Sequence, residues 1–151
     1  VSAAVTVRSA TASDEDAVLD LLEELFDPPG ALPSGYARER GATGFRWAVA
    51  SPDADVLLAL DGERVVGFAS VYLLFPGMRF GRRCWVEELV VTRAVRSRGV
   101  GRRLLDAAAA WGRARGCAEI GLASAAARKD AHRFYRRSGM AESMKYTRPL
   151  G

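Results

Sequence analysis

The run Glu87-Glu88-Leu89-Val90-Val91-Thr92-Arg93-Ala94-Val95-Arg96-Ser97-Arg98-Gly99-Val100-Gly101-Arg102-Arg103-Leu104-Leu105 constrains the fold more than any other stretch, because it reads as strand, tight turn and helix in succession. Val90 and Val91 are β-branched and suit a buried strand, Gly99 and Gly101 permit a tight backbone path, and the residues from Arg102 onward are strong helix formers. The first N–H groups of a helix lack intrahelical partners, and successive amides of a glycine-rich turn can point into one concavity. Such a junction therefore favours an anion. Arg96, Arg98, Arg102 and Arg103 crowd the same few residues, so the site suits a doubly charged group, and a pyrophosphate fits in size and charge.

Two nucleotide-binding readings are weakened by spacing. A P-loop needs G-x-x-x-x-G-K-[ST], which the chain lacks, and a dinucleotide fingerprint needs a third glycine where Leu104 stands, with no interval such as residues 92–98 between strand and turn. What remains is R-x-x-G-x-G after an E-L-V-V strand. This resembles the pyrophosphate arm of the Gcn5-related N-acetyltransferases, which bind acetyl-CoA. Taken alone, the glycines have a plainer alternative reading, in which they only turn the chain from strand to helix. The resemblance implies acetyl-CoA as co-substrate, with its pyrophosphate on Arg96, Ser97, Arg98, Gly99, Val100, Gly101, Arg102 and Arg103. It also implies that the backbone of Leu89, Val90 and Val91 pairs with the pantetheine amides like an added strand.

A second segment, Arg128-Lys129-Asp130-Ala131-His132-Arg133-Phe134-Tyr135-Arg136-Arg137-Ser138-Gly139-Met140, is similar to the family's A-x-x-F-Y-x-x-x-G-F pattern, with Met140 replacing the usual aromatic. In the family the tyrosine matching Tyr135 lies near the cofactor sulfur and acts as general acid. Chemistry gives an independent reason: a thiolate whose acid has a pKa of about 8.5 leaves more easily if protonated, and a phenol of pKa about 10 beside it can supply the proton. The alternative is that Phe134 and Tyr135 are core aromatics at helical spacing. Arg128 stands where many relatives carry Asn, which makes it a candidate for a cofactor contact and puts the Asn contact itself in question. His132, the single histidine, reads as a surface or cap residue, and Arg133, Arg136 and Arg137 as a solvated helix face.

Amine acetylation needs a neutral nucleophile, whereas an alkyl amine of pKa about 10 is almost wholly protonated at neutral pH. A carboxylate can attract the cation and take its proton, directly or through water. Glu87 and Glu88 are the candidates, since charges inside an apolar strand are costly unless one faces a cleft. Strict alternation predicts that they face opposite sides of the sheet. Glu88 holds the position that also looks acidic in diamine and aminoalkylphosphonate N-acetyltransferases, which makes it the amine-binding candidate, with Glu87 the water-relayed base. Pairing of either with an arginine on a strand face is the plainer alternative.

At 151 residues the chain is read as one domain spanning 1–151, and 49% hydrophobic with 26% charged residues is the composition of an ordinary soluble globular protein. With no long apolar run and no signal-like N-terminus, no membrane partner and a cytoplasmic location are expected. The net charge of +4 is spread along the chain without interleaved aromatics, which argues against nucleic acid. Cys84 and Cys117 show no metal spacing, and direct transfer requires no metal.

The periodicities predict a strand at 5–9, then a helix capped by Thr11 or Ser13 with Val18, Leu21, Leu22, Leu25 and Phe26 on one face, ending before Pro28-Pro29-Gly30. One broken helix or two short ones are predicted over 34–50, interrupted at Gly41 and Gly44, beside the acceptor site if the resemblance holds. A hairpin over 55–60 and 64–75 turns at Asp61-Gly62, with Gly67 marking a bulge or a close approach. A strand at 83–91, the glycine turn, a helix closed by Gly116, a strand at 118–123, a helix at 129–137 capped by Gly139 and a last strand at 143–148 follow. The expectation is an α/β fold with a mixed, mostly antiparallel sheet and helices on both faces. The function expected is transfer of acetyl from acetyl-CoA to a primary amine of a small molecule of polyamine, aminoalkylphosphonate, aminoglycoside or amino acid type. A protein N-terminus or lysine as acceptor, or an acyl-CoA sensor without catalysis, are the alternatives, and homodimers are common among the proteins it resembles.

Overall fold

Strands β1 (Thr6–Ser9), β2 (Ala54–Asp61), β3 (Arg64–Leu73), β4 (Arg83–Val91) and β5 (Glu119–Leu122) lie side by side in that order, antiparallel except for the parallel β4–β5 pair. The computed structural model describes residues 5–28, 30–124 and 128–150. Helices α1 (Glu15–Glu23) and α2 (Arg38–Ala50) cover one face of the sheet. Helix α3 (Val100–Ala114) covers the other, and α4 (Lys129–Arg137) follows β5. The expected mixed sheet with helices on both faces is therefore what the chain forms.

Strand β2 shows why. Leu57 and Ala59 pack with Leu104, Ala108 and Trp111 of α3, while Val56, Leu58 and Leu60 pack with Val18 and Leu21 of α1 and Phe45 and Ala48 of α2. A strand buried on both sides reads as a continuous apolar run, and removing that surface from water is the main favourable term of folding. The start of α1 is set by Thr11 and Asp14, which form a capping box around a short 3₁₀ turn at Ala12–Asp14, and the Arg8 guanidinium holds the Asp14 carboxyl down at about 2. The helix gives way to a second 3₁₀ turn at Glu24–Phe26; Pro29, expected to help end it, lies outside the described residues.

Three expectations need correction. The region 34–50 contains one uninterrupted helix, α2, because both glycines sit where side chains are unwelcome or unnecessary. A Cβ at Gly41 would lie 2.9 Å from Leu19 Cδ2, so that glycine lets α1 and α2 close together, and Ala42, Phe45 and Ala48 bury the helix at regular spacing. A strand at 143–148 does not form: residues 141–150 are exposed, and Met144 and Tyr146 keep 80% and 82% of their surface in water. Alternation alone does not make a strand where, among the described residues, no other strand pairs with its edge. The third correction concerns the two glutamates and belongs to the site.

Gly67 is both things it was expected to mark. Its pairing with Ala59 is followed by that of Leu60 with Val65, so Val66 is an extra residue, and a Cβ on Gly67 would sit 2.8 Å from Val90 O and 3.1 Å from Leu104 Cδ1. Gly67→Ala must push β3 away from β4 and α3. We expect a loss of about 1–3 kcal/mol in unfolding free energy, the usual cost of overpacking, read as a lower urea midpoint. An unchanged midpoint would show that the contact relaxes freely.

Candidate active site

The β3–β4 ladder pairs Ser70 with Glu88 and then Val71 with Val86, leaving Glu87 as an extra residue of β4. This bulge changes the alternation. Cys84 and Val86 point to the α3 face, which sends Glu87 to the α1–α2 face; Val90 also points to the α1–α2 face, which sends Glu88 there too. Both carboxylates therefore line one cleft of about 600 Å³ between α1, α2 and the sheet. The expectation of opposite faces is overturned, since alternation resets wherever one strand carries an additional residue.

Their surroundings differ. Glu88 is half-buried, receives the Ser70 hydroxyl at its Oε2, and gives its own N–H to Ser70 Oγ at 3.0 Å. Burial pushes its carboxyl above the usual range, an effect the Ser70 hydroxyl opposes and the neighbouring Glu87 adds to. Glu87 is exposed and accepts from Trp85 Nε1 at 3.0 Å and Tyr72 OH at 3.5 Å. The donors on both are hydroxyl and indole groups rather than the arginines of the plainer reading. Ser70 and Tyr72 were not singled out from sequence, although a serine between Ala69 and Val71 in an apolar strand is a readable signal.

A second cleft, of about 690 Å³, opens where β4 and β5 part. Their pairing ends at Val86 and Leu122, so beyond it the β5-facing edge of β4 is left without that partner, and Leu89, Val90 and Val91 line the space. Gly99 caps α3 with φ +82°, a conformation that strongly favours glycine, and Ser97 is also left-handed at +64°. The first helical bond of α3 runs from Arg103 N to Gly99 O at 3.1 Å, so the amides of Val100, Gly101 and Arg102 precede the ladder, and no side chain caps them. The helix thus begins at Val100, two residues before the arginines from which helix was expected. Gly101 lines the cleft, where a Cβ would narrow it against Phe134 at 3.5 Å. The turn is anchored from α1's side: Glu24 accepts from Thr92 Oγ1 at 3.1 Å and Arg93 N at 3.3 Å, and Asp27 pairs with Arg93 at 2.8 Å.

The family model described as the acetyltransferase (GNAT) family matches residues 16–140. The chain belongs to this family. Aminoalkylphosphonate N-acetyltransferase of Salmonella typhimurium is 31% identical to this GNAT chain over 145 residues, covering 95% of it and 90% of the relative. A shorter match, 47% over 55 residues, covers 36% of the chain and 39% of the uncharacterized N-acetyltransferase YhdJ of Bacillus subtilis. Among solved structures, aminoglycoside N-acetyltransferase AAC(6')-Iy in complex with CoA superposes with a TM-score of 0.82 at 17% identity, over 97% of this chain and 95% of that one. AAC(6')-IG of Acinetobacter haemolyticus does so with 0.80 at 18%, over 97% of both. At such identities the superpositions establish the fold. Family membership makes the chain an acetyl-CoA-dependent acetyltransferase with an amine acceptor.

Of the residues that the GNAT resemblance assigned to acetyl-CoA, Leu89, Val90, Val91, Arg96, Ser97, Gly99, Val100, Gly101, Arg102 and Arg128 line the second cleft together with Tyr135. Arg98 and Arg103 lie outside this lining and are exposed. The cleft fits the co-substrate on three counts: amides at a helix start that no side chain caps, cations at Arg96, Arg102, Lys129 and Arg137, and a strand edge beyond the last β5 pair. Arg96 is fixed by donating its Nε to Val91 O at 3.0 Å. Arg128 donates to Leu25 O at 3.0 Å, tying the start of α4 to the 3₁₀ turn that follows α1, so its guanidinium is partly committed within the protein. Tyr135 sits half-buried in this wall; burial pushes its phenol up, and the Arg128 charge opposes the shift. Of the expected solvated arginines, Arg137 reaches the lining, while Arg133 pairs with Asp130 and Arg136 with Glu142.

Proposed function

We propose that the chain acetylates the primary amine of a small molecule by direct transfer. The observation that carries the reading is the bulge in β4, which turns two carboxylates into one cleft while the next three residues of the same strand border the cleft fitted to acetyl-CoA. A relative that shares nearly the full length and is named for a small amine supports the small-molecule acceptor.

Acetyl-CoA, when bound, supplies the acetyl thioester. The amides of Val100, Gly101 and Arg102, with Arg96, hold its phosphates, and the edge of Leu89, Val90 and Val91 orients its amide-bearing arm. At the other end, Glu87 attracts the ammonium form of the acceptor at the cleft mouth. Glu88, whose burial raises its affinity for a proton, takes the proton at Oε2 and leaves the amine neutral. This gives proton acceptance to Glu88 and cation binding to Glu87, the reverse of the order ranked from sequence. Tyr135 holds a phenolic proton for the departing sulfur.

The test is amine-dependent release of free thiol from acetyl-CoA, with both substrates varied. Intersecting double-reciprocal lines are expected for direct transfer. Thiol release that no amine raises above background hydrolysis would overturn the reading.

A further inference from the structure

We infer that the acceptor is an arylalkylamine, a primary amine on a short chain ending in an aromatic ring and carrying no anionic group. The inference rests on the amine-acetyltransferase reading above and narrows its substrate.

The polar capacity of the acceptor cleft is small, and most of it is already used. The Tyr36 hydroxyl is given to Glu23 at 3.0 Å, the Tyr72 hydroxyl to Glu87 at 3.5 Å, and the Ser70 hydroxyl to Glu88. Arg40 is the one cation lining the cleft among the described residues, and its Nη1 donates to Gly35 O at 3.3 Å. With these hydroxyl protons given to carboxylates, the tyrosines offer a ligand their ring faces and an acceptor oxygen but no donor. Phe26 stands edge-on to Tyr36 with centroids 4.7 Å apart, and Trp47 lines the same cleft with 57% of its surface in water. A tryptophan exposed at the mouth of an apolar cleft is a surface for another ring to cover. Gly44 lines the cleft too, and a Cβ there would meet nothing within 4 Å, so the missing side chain leaves room beside Trp47.

Two carboxylates, one exposed and one half-buried, and aromatic side chains lining the same cleft match a cation with an apolar body. A phosphonate would bring further negative charge toward Glu87 and Glu88 with Arg40 alone to meet it. An aminoglycoside would place many hydroxyl and ammonium groups against walls that offer few free partners, and desolvating them unpaired is unfavourable. A diamine would satisfy the carboxylates but leave the rings uncovered.

The experiment compares kcat/KM for thiol release with 2-phenylethylamine, putrescine, 2-aminoethylphosphonate and neamine, and measures binding of each to the full chain by calorimetry. We expect 2-phenylethylamine to lead each of the others by about tenfold or more, the scale on which one apolar pocket discriminates. We also expect Trp47→Ala to lower the ratio of 2-phenylethylamine to ethylamine severalfold, a ratio that general misfolding would leave in place. Equal or better turnover of the phosphonate, the aminoglycoside or the diamine would overturn the inference while leaving amine acetylation standing. If no amine releases thiol, the acetyltransfer reading falls, and calorimetry still decides the cleft's preference: binding of 2-phenylethylamine over the others supports it, and no such preference overturns it.

Discussion

Replacing Tyr135 with phenylalanine is expected to lower kcat by about a hundredfold, near the bottom of the range for a positioned general acid, while the affinity for acetyl-CoA stays within about twofold. The split follows from where the side chain sits. The ring is part of the wall of the cleft that Leu89, Val91 and Gly101 also line, and phenylalanine keeps that ring and its packing beside Phe134, whose centroid lies 5.3 Å away. The hydroxyl alone is removed. Because burial holds the phenol above its ordinary value, Tyr135 stays protonated across the whole neutral range and can donate at every pH at which an amine is acetylated. Activity of the parent should therefore show no limb from this group below about pH 10. Calorimetric titration with acetyl-CoA and thiol release measure the two quantities separately. Unchanged turnover would remove Tyr135 from the chemistry, and a parallel loss of affinity would make it a binding residue.

The parts of this molecule that sequence makes legible are those where local chemistry and tertiary context agree. Gly99 at φ +82° opens α3 because few other residues take that conformation without strain, and a glycine between an apolar strand and an arginine-rich helix announces it. Tyr135 lies on a strongly patterned helix whose bounds, Lys129–Arg137, coincide with those expected. What was not legible depends on partners distant in the chain. The bulge at Glu87 arises from the match of β4 to β3, eighteen residues away at the Ser70–Glu88 pair, and no period within β4 itself reveals it. Gly41 looks like a helix breaker until Leu19 is seen against it. The segment 143–148 has the alternation of a strand but pairs with no strand among the described residues. Arg128 reads as a ligand contact by its place in the motif, yet its guanidinium reaches Leu25 O, 103 residues earlier in the chain.

Glu88→Gln should separate activity from stability in opposite directions. As the proton acceptor, Glu88 is expected to account for about a hundredfold of kcat/KM, and glutamine, of the same shape, cannot take the proton. Stability runs the other way. The folded-state carboxyl lies above its unfolded value, so between the two values the folded chain binds more protons than the unfolded one and stability falls as pH rises. The cost of burying the charge is fully present above the folded value and absent well below the unfolded one. Glutamine carries no such charge and can still accept the Ser70 hydroxyl through its Oε1, so the variant should unfold at the same temperature as the parent or higher at pH 7, with the advantage shrinking toward pH 4. The parent's acidic limb in kcat/KM, which reports Glu88 losing its proton before it can accept one from the amine, should vanish in the variant. Thermal unfolding from pH 4 to 8 and a pH–rate profile of both proteins check the pair of effects. A variant that loses activity and stability together would make Glu88 a structural carboxylate, and one that keeps full activity would hand the proton to Glu87 or to solvent.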